Sequence, residues 1–362
     1  MSLRFFVVAS CALLLATPAF AGTAWVQETS RPVLPYCGSV YAPPYGEKAG
    51  RRTCPVPKPR TYSPRHAGIG FDILDLESEA CFVPDESYQL LDQLIDEVGQ
   101  KVNVSAGKPD KPKVLDIARV LGEVMAGRGF GLYIPTETLG DALVNRTGGN
   151  GPAEYIFDCD IGSLILMTVA ENLSFPAHLV DITLSGGSGH NYVRWEVPNQ
   201  SPIEWDVNGR QQCLTPSNLP PYEGKSMSRE ETLGYAYLLR AALWEHIGKI
   251  DRELDDLRES LKRRPDHPDA YNNLAWVIAT GSIPVSDGLL KEALLAASQA
   301  VDIERHPNSL DTLACVHAAA GHFYQAAQVE REAAKMSPNN QTFSRRIAQF
   351  EASPPQDCRS EN

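Results

Sequence analysis

Between residues 85 and 127 apolar side chains recur every three or four positions. Leu90, Leu91, Leu94, Ile95 and Val98 share one helical face behind a start at Pro84-Asp85. After a Gly/Lys/Pro break at 107–112, Val114, Leu115, Ile117, Ala118, Val120, Leu121 and Val124 mark a second helix, which Gly127 to Gly131 end. A short helix is expected from Glu137 to Val144, followed by the loop Thr147 to Pro152. Ile161 to Glu171 is largely apolar and reads as a helix opened by Cys159. Beyond it the period changes to two. His178 to Leu184, His190 to Val197 and Ile203 to Val207 alternate and are rich in β-branched and aromatic residues, so three antiparallel strands are predicted. Helices followed by such a meander make an α+β fold.

From Met227 onward the pattern is helical throughout and repeats. Tyr237, Ala241, Trp244 and Gly248 are followed by Leu257 and Pro265. Tyr271, Leu274, Ala275 and Ile278 are followed by Ala293, Ala297 and Ala300. Leu310, Leu313, Ala314 and Gly321 are followed by Ala326, Ala333 and Pro338. This spacing, about 34 residues per unit, resembles the tetratricopeptide pattern of aromatic, small and proline positions. The second unit carries an insertion around Ser282 to Gly288. The first has Arg240 and Glu253 where Leu and Ala are commoner. Thr342 to Ala352 is expected to close the array, with Ile347 and Phe350 on its inner face. Two helices cannot bury their apolar faces alone, which is why stacked units and a cap go together.

The predicted division is a leader at 1–21, an irregular Pro/Gly-rich arm at 22–84, an α+β domain at 85–210, a linker at 211–227, about three repeats at 228–340, and a capping helix with tail at 341–362. The leader has the parts of a secretory signal: Arg4, the apolar stretch Phe5 to Ala16, and the small-x-small site Ala19-Phe20-Ala21. It implies export, to the periplasm or beyond. Val8-Ala9-Ser10-Cys11 also has the form of a lipoprotein cleavage box, but the apolar run continues past Cys11. No later run approaches the ~20 apolar residues of a membrane-spanning helix. The net charge of −12 over 362 residues argues against a nucleic-acid partner and for a self-repelling, soluble surface.

An exported chain can form disulfides. Of eight cysteines, Cys11 leaves with the signal. If Cys159 is a reactive thiol, then Cys37, Cys54, Cys81, Cys213, Cys315 and Cys358 remain, with many possible pairings. Cys37 with Cys54 is the simplest expectation, since both lie in a Pro/Gly-rich segment with no core to hold it. Cys315 suits the role of a buried, inert thiol.

Cys159, His190 and Asp206 come in that order, 31 and then 16 residues apart. A helix N-terminus stabilises a thiolate through its unsatisfied N–H groups and dipole. An imidazole can take the thiol proton, and a carboxylate can orient the imidazole. Neighbouring strands lie about 4.8 Å apart, so side chains from the second and third strands can meet. The flanking Asp158 and Asp160 oppose thiolate formation unless they point to solvent or pair elsewhere. Ordinary roles exist for each residue: half a disulfide for Cys159, a strand histidine for His190, a strand end for Asp206. His178 is a second imidazole in the same meander and competes for the base. The three residues do not make a metal set, because no close ligand pair such as H-x-x-x-H or C-x-x-C occurs. No cofactor motif is present.

The stretches Asp158-Cys159-Asp160-Ile-Gly-Ser-Leu-Ile-Leu, Leu173-Ser-Phe-Pro-Ala-His-Leu-Val, His190-Asn-Tyr-Val-Arg-Trp and Glu204-Trp-Asp206 resemble the transglutaminase-like core of the papain-type cysteine enzymes. The resemblance covers roughly residues 110–210. It implies Cys159 as nucleophile, His190 as base and Asp206 as its orienter, with the cysteine's backbone N–H in an oxyanion hole. It departs from the family at Phe175 and His178, where Ile and Arg are usual, and in the acidic flank. The expected protein is thus a papain-like or transglutaminase-like α+β core followed by an all-α tetratricopeptide array. As an enzyme it would be a hydrolase or acyl transferase acting on an amide bond of a protein or peptide, with the repeat groove holding a protein partner. The rival expectation is an inactive envelope scaffold that binds partners through its repeats. Among the Asn-x-Ser/Thr matches Asn103, Asn145, Asn172, Asn199 and Asn340, Asn172 falls on the predicted catalytic helix and is not expected to carry a glycan.

Overall fold

The computed structural model describes residues 54–102, 110–132, 138–144, 155–183, 189–197, 199–207, 224–281 and 283–361. The predicted secretory leader, Cys37, Cys213, Asn103, Asn145 and most of the predicted linker lie outside the described residues. The chain forms two compact units, with the division between Arg229 and Glu230. No helix among the described residues is long and apolar enough to cross a membrane.

The first unit contains α1 (Ile69–Ala80), α2 (Asp85–Lys101), α3 (Lys111–Gly127), β1 (Phe130–Leu132), α4 (Leu139–Ala142), β2 (Tyr155–Phe157), α5 (Cys159–Asn172), β3 (His178–Thr183), β4 (Gly189–Trp195) and β5 (Ile203–Trp205). β3, β4 and β5 form an antiparallel sheet in that order, with His178 opposite Arg194 and Val193 opposite Trp205. A second, two-stranded parallel pair joins β1 to β2 and is not predicted by the sequence pattern. Its strands are three residues each, too short to show a period.

The organising element is α5. Every residue from Cys159 to Ala170 is buried, which follows from a helix that is apolar on all sides. α1, α2, α3 and β4 pack around it. Gly70 brings α1 within hydrogen-bonding reach: its amide donates to Thr168 Oγ1 at 3.0 Å. A Cβ there would stand 2.5 Å from that same oxygen, so only glycine allows the approach.

The segment expected to be irregular up to residue 84 holds α1, whose Ile69, Phe71, Ile73 and Leu74 are core residues. The prolines crowded before it hide its helical face. The stretch that precedes it is tied to α2 by carboxylates. Asp92 accepts from Tyr62 Oη (2.6 Å), Arg65 N (2.8 Å) and His66 N (3.1 Å), and Asp85 accepts from the amides of Thr61 and Tyr62. A disulfide joins Cys54 to Cys81, with Cα atoms 5.1 Å apart. The expected Cys37–Cys54 pairing is therefore corrected. The true partner closes the segment onto the end of α1, in a contact that local spacing does not reveal. The expected helix Glu137 to Val144 is described only as the single turn α4, whose first amides, Leu139 and Gly140, donate to the buried Glu77 carboxylate.

The second unit is a stack of helix pairs: α6 (Arg229–His246) with α7 (Ile250–Arg263), α8 (Pro268–Thr280) with α9 (Asp287–Ile303), α10 (Pro307–Ala319) with α11 (Phe323–Met336), and the closing α12 (Gln341–Phe350). This is the expected tetratricopeptide-like architecture. Gly248 and Gly321 turn the chain between helices of a pair at φ +72° and +77°, a left-handed conformation that glycine adopts without strain. The helices bury small residues such as Ala297, Ala300, Ala314 and Ala326, and Val301, Leu310, Ala333 and Phe343 form one buried cluster. Phe343, Arg346 and Phe350 make the inner face of α12, with Ile347 half-buried.

Two residues that depart from the repeat pattern are accommodated differently. Arg240 is buried and forms a two-pronged bond with Asp256 (2.6 and 2.7 Å), which also accepts from Trp244 Nε1 at 2.8 Å. Glu253 is 1% exposed, and its Oε1 has no hydrogen-bond partner among the described residues. The expectation for Cys315 is corrected as well. It is bonded to Cys358, which holds the C-terminal tail against α10, while Arg359 Nε donates to the Ala279 carbonyl at the end of α8 (2.9 Å).

Candidate functional site

The site forms where α5 begins and the meander passes it. Asp158 is the N-cap of α5, and its Oδ1 accepts from Ile161 N at 3.1 Å, as Asp prefers at this position. Cys159 is the first helical residue, 3% exposed, and belongs to neither of the disulfides among the described residues. Its amide and those following it are the N–H groups that a helix leaves unsatisfied within its own turn.

The thiol donates to Asp160 Oδ1 at 3.2 Å, and Asn191 Nδ2 donates to the same oxygen at 2.8 Å. Asp160 is 6% exposed and Asn191 2%. The two flanking carboxylates thus have separate fates: Asp158 caps the helix, and Asp160 turns to the thiol.

β4 carries Asn191 and His190 side by side. Residues alternate across a strand, so Asn191, Val193 and Trp195 share one face while His190, Tyr192 and Arg194 share the other. The first face is turned to α5: Asn191 bonds to Asp160, and Trp195 Nε1 donates to the Phe175 carbonyl just past the helix at 3.0 Å. His190 Nε2 meets Asp206 Oδ2 at 2.9 Å, with both side chains buried. The chain brings Asp206 there because it follows β5 in register beside β4.

Of the predicted residues, His190 and Asp206 are therefore directly bonded. Cys159 enters through Asp160 and Asn191, the neighbour of His190 in β4. His178 is engaged elsewhere. Its Nδ1 lies 2.9 Å from the Met227 carbonyl, where the returning chain lines the edge of β3. Arg194 of the Tyr-Val-Arg-Trp stretch ties the sheet together through Glu204 (2.6 Å) and the Gly224 carbonyl (2.6 Å). Asn172 spends its amide on the carbonyls of Ala67 and Thr168, in keeping with a match that carries no glycan. Sequence reasoning missed Asn191. Its adjacency to His190, together with an unexplained Asp160, was the available signal, but only the strand register shows that they face each other.

The chain matches no family model and no curated protein. Among solved structures it is similar to a thermophilic tetratricopeptide-repeat protein of Thermus thermophilus, at 18% identity and a TM-score of 0.27. The similarity covers 34% of this chain and 62% of that one, so the chain spans less than two thirds of that protein's length.

Proposed function

We propose that this protein is an exported thiol hydrolase or acyl transferase of transglutaminase-like type, acting on an amide bond of a protein or peptide that its repeats help to hold. The observation that carries this reading is the buried His190–Asp206 bond at 2.9 Å, on β4, the strand whose opposite face packs against α5. A buried carboxylate against one ring nitrogen fixes the imidazole's orientation.

In this reading substrate binding shifts the end of β4, so that His190, which at rest lies on the face turned from α5, reaches the thiol, and Cys159 Sγ attacks the amide carbonyl carbon as its proton passes to the imidazole. The carbonyl oxygen gains negative charge beside the N–H groups at the start of α5. As the C–N bond breaks, the imidazolium returns its proton to the departing amine, and a thioester remains on Cys159. Attack by water then gives hydrolysis, and attack by a second amine gives acyl transfer. The reading is tested by labelling the full chain with a thiol-directed electrophile and locating the adduct by peptide mass. Wild-type protein should be labelled at Cys159 and Cys159→Ala should not. Equal labelling of the two, with both disulfides intact, removes the nucleophile assignment.

A second reading is supported by the thiol's 3% exposure and its bond to a carboxylate. Here the first unit is an inactive envelope scaffold and the repeats recruit a protein partner. Partner capture that needs the repeats but survives Cys159→Ala would favour it.

A further inference from the structure

We propose that Asp160, held in place by Asn191, is the positioning residue of the Cys159 thiol, keeping it protonated and aimed at rest. The inference deepens the thiol-enzyme reading and rests on it for its use, but its geometry is independent of any turnover. Three groups meet on one atom: Asp160 Oδ1 accepts from Cys159 Sγ at 3.2 Å and from Asn191 Nδ2 at 2.8 Å. All three residues are more than nine-tenths buried. A carboxylate in direct contact with a thiol disfavours the thiolate, because two negative charges at that distance repel. The helix N-terminus acts in the opposite sense, so the resting state of Cys159 is set by a contest that Asp160 enters at direct contact.

Other titratable groups lie around this end of α5. Asp158 is turned to the amide of Ile161. His190 is bonded to Asp206. Asp181 is the cross-strand neighbour of Asn191 and shares its face of the sheet. Of the helices packed on α5, α1 places Glu77 on the amides of Leu139 and Gly140, α2 places Asp92 on the segment before α1, α3 buries apolar side chains and glycine alone, and α4 carries the half-buried Asp141. Glu171 lies at the far end of α5. Among the described residues, Asp160 is a carboxylate in hydrogen-bond contact with the sulfur.

A substrate that displaces the thiol's hydrogen bond, or a proton path opened to His190, would release the thiolate only when the site is filled. That arrangement suits a buried cysteine in an oxidising compartment, since the thiol is far less readily oxidised than the thiolate.

The test is the pH dependence of iodoacetamide alkylation at Cys159 in the full chain, read by mass spectrometry with the disulfides intact. Asp160→Asn should lower the midpoint by at least about one pH unit, which is about tenfold faster alkylation below the midpoint. Asp158→Asn, which keeps the cap and removes a neighbouring charge, should move it by less than half as much. An unchanged midpoint in Asp160→Asn, or equal shifts in the two variants, overturns the proposal. A purely structural role for Asp160 would change the rate at every pH without moving the midpoint. A second measurement needs no substitution at Asp160. The infrared S–H stretching band, isolated as wild type minus Cys159→Ala at neutral pH, should be present and shifted as for a thiol bonded to a carboxylate. Its absence would mean a resting thiolate and would overturn the proposal even if Asp160→Asn failed to fold. Neither readout involves turnover: an inactive protein with the expected midpoints would remove the enzyme reading and leave this one standing.

Discussion

Glu253 should make the repeat unit lose stability as pH rises, and Glu253→Gln should abolish most of that loss. The side chain lies inside the first helix pair with an unbonded Oε1, and Glu245 nearby also has a buried, unbonded Oε1. Burial, and second the Glu245 charge, push the Glu253 carboxyl up to about 9. Burial pushes Glu245 up to about 7. An acid whose folded value is raised is kept neutral by the fold, so unfolding releases a proton at any pH between the two values. Stability is therefore full below the unfolded value of 4.5 and falls as pH rises toward 9. At about 1.4 kcal/mol per unit, the loss between the unfolded value and pH 8 is on the order of 5 kcal/mol. Glutamine has the same size and does not ionise, so Glu253→Gln should match wild type near pH 4 and exceed it by a few kcal/mol at pH 8. Urea unfolding of the repeat transition, followed by far-ultraviolet circular dichroism from pH 4 to pH 8, reads this directly. Parallel pH curves for the two proteins would refute the reasoning, because they would mean that Glu253 ionises equally easily folded and unfolded.

Other outcomes follow from single contacts. Arg240→Met strands the buried Asp256 carboxylate and should cost about 3–5 kcal/mol in the same urea assay, whereas replacing both residues with apolar ones should recover most of it. Cys358→Ser opens a loop of 43 residues, for which chain entropy gives a loss of about 4 kcal/mol; protease cleavage of the tail should then precede unfolding of the array. Gly70→Ala drives a methyl group onto Thr168 Oγ1 and should cost about 1–3 kcal/mol, and adding Thr168→Ala should restore part of it. Asp206→Asn keeps the size of the His190 partner but removes its charge, and should slow any turnover by about 100-fold or more while leaving the midpoint of Cys159 alkylation nearer to wild type than Asp160→Asn does.

The elements are legible where one period runs long enough to be read. α2, α3 and α5 announce themselves by their apolar spacing, β3 to β5 by alternation, and the helix pairs by recurring small and aromatic positions. Each depends on residues within a turn or two of one another, so the local chain suffices. The same holds for Cys159 opening a helix, since Asp158 is a capping residue beside it. What fails locally is short or masked by its neighbours: α1 behind a run of prolines, and β1 with β2, whose three residues each carry no period.

Sequence by itself determined that this chain has an α+β unit before a helical-repeat unit, that a cysteine heads an apolar helix, and that a histidine and an aspartate follow on strands. Tertiary structure decided which of these groups meet. Pairing of Cys54 with Cys81 and of Cys315 with Cys358 depends on where distant segments return. The bond between His190 and Asp206 depends on the register of β4 against β5, and a slip of one residue would turn every side chain to the other face. The fate of Asp158 and Asp160 turned on helix phase and on what the sheet presents. One carboxylate closes its own helix, and the other reaches Asn191 across a gap that no local pattern encodes.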